Sequence, residues 1–109
     1  PYGLAVDVTD AGSVEEAFDR IHRDEGRLDG VVAGAGIVED DVAAETMSSA
    51  QFSGVLAVNL VGVFHTLTSA GRRMLEQGSG SCVAISSMSG NHTVNTPQRQ
   101  CAYKDNNDI

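Results

Sequence analysis

Basic residues are scarce in this sequence of 109 residues. Seven Lys and Arg stand against fifteen Asp and Glu, which gives a formal net charge of −8 at pH 7 and a pI near 4.5. A surface with this excess of negative charge repels phosphate groups, so the composition argues against nucleic acids and anionic membranes as partners.

Cysteine and histidine are also few, and this argues against a disulfide framework and against a metal site. The two cysteines, Cys82 and Cys101, lie in a chain of otherwise cytosolic character, so we expect reduced thiols rather than a disulfide framework. His22, His65 and His92 form no HxxxH spacing, and the chain has no CxxC pair. No metal site is therefore expected.

A long uninterrupted apolar run, an amino-terminal leader and internal repeats are absent as well. The longest mostly apolar stretch, around Val55 to Leu67, contains four polar or small residues. These are Asn59, Gly62, His65 and Thr66. We expect this stretch to be too short and too mixed to span a bilayer. Without a basic-then-apolar leader, the sequence predicts a cytoplasmic protein of one small domain.

What the sequence does contain is an alternation of short apolar runs and amphipathic segments. Gly3 to Val8, Leu28 to Val32 and Ser81 to Ile85 are typical of strands, and we expect the third to be buried on both faces. Helical periodicity fills Ser13 to Gly26 and Ser48 to Gly78 between them. This order predicts the α/β class, with a parallel sheet and right-handed crossovers.

Local signals predict where the two helices begin and end. Ser13 and Ser48, each followed three residues later by Glu or Gln, have the capping-box form. Gly26 and Gly78 lie where a C′ glycine ends a helix.

Each predicted helix has an apolar side. In the first helix it comprises Val14, Ala17, Phe18 and Ile21. In the second it comprises Phe52, Val55, Leu56, Val63, Phe64 and Leu67. Arg72 and Arg73 lie near the carboxyl end of the second helix, where positive charge suits the helix dipole.

Asn59 lies mid-helix among apolar neighbours, where its amide needs a hydrogen-bond partner. Two interpretations stay open: Asn59 faces a neighbouring loop, or it marks a kink or a water-binding point.

Small and polar residues follow directly after two of the predicted strands. Gly34-Ala35-Gly36 is either a flexible turn or a place where a ligand approaches the backbone closely. Ser86 and Ser87 follow the next strand, and Tyr103 comes later. In open α/β sheets the chemistry lies beyond the carboxyl ends of the strands. A hydroxyl and a tyrosine there suit carbonyl reduction, and the alternative is a serine turn with an exposed tyrosine.

From Gly3 to Tyr103 the chain resembles the short-chain dehydrogenase/reductase family. Asp7-Val8 matches an acid–aliphatic pair whose carboxylate accepts a hydrogen bond from the adenine amino group of the cofactor. Gly34-Ala35-Gly36 matches the Asn-Ala-Gly turn of the family, with its first residue changed to glycine. The resemblance therefore implies NADP or NAD as the cofactor.

The resemblance also assigns catalytic roles to three residues. Asn59 matches the helix asparagine that helps to hold a proton-relay water, Ser87 the serine that orients the substrate carbonyl, and Tyr103 the general acid/base. It implies a Rossmann-like doubly wound parallel sheet, of which this chain supplies strands three to five and two crossover helices. It also implies a small alcohol or carbonyl substrate and a homo-oligomeric full-length form.

The segment around Ser87 is similar to one branch of this family, the polyol and ketose reductases acting on mannitol-, sorbose- or xylulose-type skeletons. Its matching residues are Ser86-Ser87-Met88-Ser89-Gly90, Val94-Asn95, Pro97-Gln98 and Gln100.

After Tyr103 the resemblance stops. The family has a lysine four residues after the tyrosine, which lowers the tyrosine pKa, whereas Asn107 stands there in this chain. Lys104 is adjacent to Tyr103 and does not share a helix face with it. We expect residues 1–103 to form a partial NAD(P)-binding domain and residues 104–109 to be a non-homologous, disordered tail. One hypothesis is an error of reading frame or splice junction at Tyr103.

The glycine-rich phosphate-binding turn of the family has no match either, so we expect a fragment truncated at both ends and inactive alone. Two other interpretations are a non-catalytic fragment that associates with intact family subunits, and an unrelated Rossmann-like module such as a methyltransferase.

Overall fold

The structure, a computed structural model, describes residues 2–39 and 42–87. Its elements in chain order are α1 (Ala11–Glu25), β1 (Gly30–Ala33), α2 (Ser49–Leu56), a π-helical segment (Ala57–Gly62), α3 (Val63–Gln77) and β2 (Ser81–Ala84). The two strands pair in parallel, with Gly30 opposite Ser81 and Ala33 opposite Ala84. A long helical crossover joins them, which confirms the α/β class.

The prediction of a strand over Gly3 to Val8 was wrong. Within the described residues this segment pairs with no strand. A strand needs a neighbouring backbone for its ladder, and this segment is bound instead by side chains of the two helices. The Ser13 hydroxyl accepts a hydrogen bond from Asp7 N at 2.9 Å, and His65 Nδ1 lies 2.9 Å from Val8 O.

Helix α1 begins at Ala11, earlier than the start after Ser13 that the sequence predicted. Asp10 is its N-cap, since the carboxylate accepts from Gly12 N at 2.8 Å. Ser13 lies inside the helix, so its assignment as the cap was wrong. Gly26, with φ of 77°, ends the helix and donates its N–H to His22 O, which confirms the predicted C′ glycine.

The second predicted helix is continuous from Ser49 to Gln77. The Ser48 capping box is confirmed, because Ser48 Oγ accepts from Gln51 N and Gln51 Oε1 accepts from Ser48 N. Gly78 ends the helix with φ of 80°, also as predicted.

This helix has 29 residues and a mean hydropathy of 1.4 over its most apolar window. By length and composition alone the whole helix, unlike the shorter stretch around Val55 to Leu67, is long and apolar enough to cross a bilayer, as core helices of soluble proteins also are. Its polar residues do not interrupt it, because Thr66 and Thr68 donate their hydroxyls to Gly62 O and Phe64 O within the helix.

The core lies where α1, α3 and the strands meet. Its buried cluster consists of Val14, Phe18, Leu28, Ala70 and Met74. The apolar side predicted for α1 is confirmed by the burial of Val14 and Phe18.

The apolar side predicted for the second helix was wrong. Its buried positions are Gly62, Ser69, Ala70 and Met74, mostly small residues that let α3 approach α1. Phe52 and Phe64 are 56% and 63% exposed. They lie on the other side of the helix, and no described element covers them.

Strand β2 was expected to be buried on both faces, and all four of its residues are exposed. Within the described residues it pairs with β1 alone, so its outer edge has no neighbouring strand. Burial on two faces depends on covering layers that a strand's own sequence does not supply.

Arg73 is the most buried cation of the described residues that form ion pairs, with a side chain 16% exposed. Its guanidinium binds Glu15 at 3.1 Å and Asp19 at 2.5 Å on α1. It also donates to Ser69 O and Oγ, and it lies 5.6 Å from the ring centre of Phe18. These contacts join α3 to α1.

Arg72 and Arg73 lie near the carboxyl end of α3, as expected, but just before its last turn, so their observed partners are on α1. Arg72 also pairs with Glu15. Partial burial acts to raise the pKa of Glu15, but hydrogen bonds from Ser69 and Arg73 outweigh it, so the pKa is lowered.

Gln77, the last residue of α3, binds the chain just before β1. Its Oε1 accepts from Leu28 N at 3.0 Å, and its Nε2 donates to Leu28 O at 3.1 Å. The carboxamide thereby satisfies both backbone groups of one residue.

Candidate functional site

The carboxyl ends of β1 and β2 meet at one edge of the sheet. Ile85 N donates to Ala33 O at 3.0 Å, which continues the ladder one residue beyond β2. A Cβ built on Gly34 would lie 3.6 Å from Ile85 Cγ1, an ordinary contact distance. The turn Gly34-Ala35-Gly36 and the pair Ser86-Ser87 therefore leave the sheet side by side.

Asn59 lies in the π-helical segment and binds the chain just after this turn. Its Oδ1 accepts from Ile37 N at 2.8 Å, and its Nδ2 donates to Ile37 O at 2.8 Å. We call this pair of hydrogen bonds the Asn59 clamp. Of the two interpretations, the contact with a neighbouring loop is the one observed, and the helix is also widened at this point.

Sequence reasoning missed both the π-helical turn and the role of Ile37. A polar amide among apolar residues signalled that a partner exists. Which backbone it binds depends on how the loop folds back, and no local pattern encodes that. Wide turns of this kind occur often at functional sites.

The Asp7 carboxylate is held in place by Thr9. Asp7 Oδ1 accepts from the Thr9 hydroxyl at 2.7 Å and from Thr9 N at 2.9 Å. These hydrogen bonds lower the pKa of Asp7 because they favour its ionised form, and the bond from the Thr9 hydroxyl has the larger effect. Asp7 is exposed, so the carboxylate is able to accept from a further donor.

Val8, beside Asp7, lines an apolar cleft of about 190 Å³. Gly34, Ala35 and Gly62 of the long helix line the same cleft. The structure thus brings Val8 and the glycine turn, which are far apart in sequence, to one cleft.

A second and larger cleft has a volume of about 870 Å³. Asn59, Ile37, Phe52 and Glu39 are among the residues that line it. The Asn59 clamp therefore borders this cleft.

Ser87 is described and exposed at the end of β2. Tyr103, the polyol-type segment from Met88 onward and the tail 104–109 lie outside the described residues. Among residues 2–39 and 42–87, no group of three or more His, Cys, Asp or Glu is placed to hold a metal ion. Cys82 is a free thiol.

Comparison with known proteins matches the chain to one family. The sequence model of the short chain dehydrogenase family matches residues 2–104. An uncharacterized oxidoreductase of Schizosaccharomyces pombe is 42% identical over 102 residues, covering 94% of this chain and 38% of the relative. D-threitol dehydrogenase of Mycolicibacterium smegmatis is 36% identical over 102 residues, covering 94% and 39%.

A solved structure shows the same fold. NAD+-bound xylitol dehydrogenase superposes with a TM-score of 0.79 at 31% identity, covering 92% of this chain and 37% of that one. The chain thus spans less than two fifths of the length of the relatives it matches. The resemblance and the Rossmann-like fold class are confirmed.

Proposed function

The chain belongs to the short-chain dehydrogenase/reductase family, and from this premise we propose that it is part of an NAD(P)-dependent oxidoreductase. The proposed reaction interconverts a hydroxyl and a carbonyl group on a small molecule, a sugar alcohol and its ketose. Similarity to a threitol dehydrogenase and a xylitol dehydrogenase supports this class of substrate. The choice between NAD and NADP stays open.

One observation carries the proposal: Val8, the glycine turn and Asn59 come together beyond the carboxyl end of β1. Val8, Gly34 and Ala35 line one cleft, Asp7 directly precedes Val8, and the Asn59 clamp fixes the residue after the turn. Ligands of open α/β sheets bind at this edge.

The residues present fit part of a dinucleotide. Asp7 offers an ionised acceptor that Thr9 already orients, which suits the amino group of an adenine. Gly34 and Gly36 present backbone without side chains, and a Cβ at Gly36 would lie 3.6 Å from Asn59 Oδ1. When bound, the nicotinamide supplies or accepts the hydride.

In this proposal two residues act on the substrate oxygen and a third holds the relay water. The Tyr103 hydroxyl gives a proton to the oxygen during reduction and takes it back during oxidation. The Ser87 hydroxyl donates a hydrogen bond that orients the carbonyl. Asn59, whose side chain is engaged by Ile37, offers its main chain in the widened helical turn for the relay water.

A hybrid protein tests this function directly. Residues 2–103 replace the matching segment of the xylitol dehydrogenase, and oxidation of threitol, xylitol and mannitol is followed as NADH or NADPH absorbance at 340 nm. We expect turnover with at least one polyol. Tyr103→Phe in the hybrid lowers kcat by about 100-fold or more, because the proton donor is lost.

Tyr2→Phe serves as the matched control, since Tyr2 lies half-exposed beside Asp24 near the end of α1. A hybrid that folds and binds cofactor but oxidises none of these polyols would contradict the proposed substrate class. Equal activity of the Tyr103→Phe and parent hybrids would contradict the role of Tyr103.

We further propose that the 109-residue chain alone neither binds the cofactor tightly nor turns over substrate. A fluorescence titration with NADPH checks this, with no saturable binding expected below millimolar concentration. Saturable micromolar binding would show that the chain builds a phosphate site without the glycine-rich turn.

A second candidate function, association with intact family subunits, is favoured by one surface. Four apolar side chains at helical spacing form an exposed row on the long helix. The row comprises Phe52, Leu56, Leu60 and Phe64, exposed by 56%, 38%, 63% and 63%. We propose that an equivalent helix of a second copy or of an intact subunit covers this row.

Light scattering coupled to gel filtration tests the association. The parent chain is expected to elute as a dimer or larger, and Leu60→Glu together with Phe64→Glu shifts it to the monomer. Glu76→Gln, at an exposed position near the end of α3, is the control. A parent chain that partitions into neutral phosphatidylcholine vesicles instead would assign this helix to a bilayer.

A further inference from the structure

The segment before α1 is fastened to the long helix at Val8. His65 Nδ1 lies 2.9 Å from Val8 O, and both residues are partly buried. A carbonyl oxygen only accepts hydrogen bonds, so Nδ1 must carry the proton and donate it. The contact therefore selects one tautomer of the His65 ring.

Gly62, three positions before His65, completes this attachment. A Cβ built on Gly62 would lie 2.7 Å from Val8 Cγ2 and 3.0 Å from Val8 Cβ, closer than real Cβ contacts. Any larger residue would displace Val8 from the helix. Gly62 and His65 together thus fix both the side chain and the carbonyl of Val8.

Asp7 directly precedes Val8 in the chain and is also bound by the start of α1. Its N–H donates to the Ser13 hydroxyl, and its carboxylate accepts from Thr9. Asp7 O also accepts from Asp10 N at 3.2 Å. Release of Val8 would leave Asp7 held only by Thr9, Asp10 and Ser13, so its position relative to the long helix depends on His65.

We propose that His65 is a positioning residue, which holds the Val8 carbonyl and thereby places the Asp7 carboxylate for the exocyclic amino group of an adenine nucleotide. This inference rests on the proposed contact between Asp7 and adenine. It adds a residue of the long helix that does not touch the nucleotide and that governs its recognition.

The first measurement concerns the His65 ring in the 109-residue chain. Long-range ¹H–¹⁵N spectra at pH 7.5 are expected to show the Nδ1-protonated tautomer for His65. The Nε2-protonated tautomer, or rapid exchange between the two, would overturn the proposal.

The second measurement compares AMP with GMP, which carries an oxygen where adenine carries its amino group, at the millimolar concentrations that weak binding to the isolated chain requires. Amide shifts of Asp7 and Val8 report both titrations. The parent chain is expected to prefer AMP, and His65→Ala lowers that preference by about fivefold, the worth of one hydrogen bond. His65→Asn restores it, because the asparagine amide reaches the position of Nδ1.

His65→Gln, whose amide extends one carbon too far, is a second loss variant for use if His65→Ala fails to fold. His22→Ala, at an exposed position of α1, is the control and keeps the AMP preference. Undisturbed core signals of Val14 and Phe18 report folding in every variant.

The outcomes separate the two proposals. If Asp7→Ala abolishes the AMP preference and His65→Ala leaves it intact, the role of His65 is refuted while that of Asp7 stands. If the parent chain does not distinguish AMP from GMP, both are refuted. Loss in His65→Ala with rescue in His65→Asn supports the inference.

Discussion

Removal of the Asn59 clamp is expected to loosen the chain after β1 without unfolding the core. Asn59→Ala deletes two hydrogen bonds of 2.8 Å, to Ile37 N and Ile37 O. A neutral hydrogen bond contributes about 1 kcal/mol, so the two contribute at most about 2 kcal/mol. Water replaces part of this because Asn59 is exposed.

Amide hydrogen exchange measures this change at one residue. A loss of about 2 kcal/mol in local opening corresponds to roughly 30-fold faster exchange at the Ile37 amide. Asn59→Asp keeps the acceptor for Ile37 N but sets a carboxylate against Ile37 O, so exchange also rises. Ser53→Ala, an exposed position lining the same cleft, is the control and leaves it unchanged.

Two results would refute this reasoning. Unchanged exchange at Ile37 in Asn59→Ala would mean that the clamp does not hold the loop. A uniform rise at every core amide would mean that Asn59 supports global stability instead, and urea unfolding would then show a lower midpoint.

The remaining predictions concern stability. Arg73→Met removes the cation that binds Asp19 and the buried Ser69 hydroxyl and leaves Glu15 with Arg72 alone, so the free energy of unfolding in urea falls by about 2 kcal/mol. Glu15 has a lowered pKa in the folded chain, so its contribution is present above the ordinary pKa of about 4.3 and is lost as pH falls through the folded value. The stability difference between parent and Glu15→Gln therefore shrinks in urea titrations below about pH 4. Gly80→Ala destabilises the chain, since its φ is 148° and a Cβ would lie 2.3 Å from Met74. Gly71→Ala, in open space within α3, raises the melting temperature through a gain of about 0.5 to 1 kcal/mol.

The stability predictions have the following control variant and contradicting results. Arg23→Met, at an exposed position, should leave the urea midpoint unchanged. A parent-minus-variant difference for Glu15→Gln that grows on acidification would contradict the lowered pKa. Equal melting temperatures for Gly80→Ala and Gly71→Ala would show that the left-handed backbone and the Met74 contact are immaterial.

The features that sequence predicted well are those decided within a few residues. Ser48 caps its helix, and Gly26 and Gly78 end theirs, because each choice depends on one local set of backbone groups. Where two caps compete, local reasoning fails. Asp10 caps α1 because the Ser13 hydroxyl binds Asp7 N, a contact that exists only once the segment has folded back.

Burial and pairing were predicted less well because they depend on distant parts of the chain. The apolar composition of β2 and of the row from Phe52 to Phe64 indicates that something covers them, but their own sequence does not say what. For the site, the sequence indicated that Asn59 needs a partner, while Ile37, Gly62 and His65 became visible only through contacts with remote backbone.

Two carboxamides of the long helix, those of Gln77 and Asn59, bind the chain at the two ends of strand β1 and so match the length of the helix to that of the strand. Gln77 binds Leu28 before the strand, and Asn59 binds Ile37 after it. Eighteen helical residues span about 27 Å, and the nine residues from Leu28 to Ile37 span about 30 Å when extended. A single deletion between the two amides would shift one of them by about 1.5 Å and 100° around the helix axis. Insertions in the connection that follows Ile37 leave this spacing untouched, so length variation is tolerated there and excluded between Asn59 and Gln77.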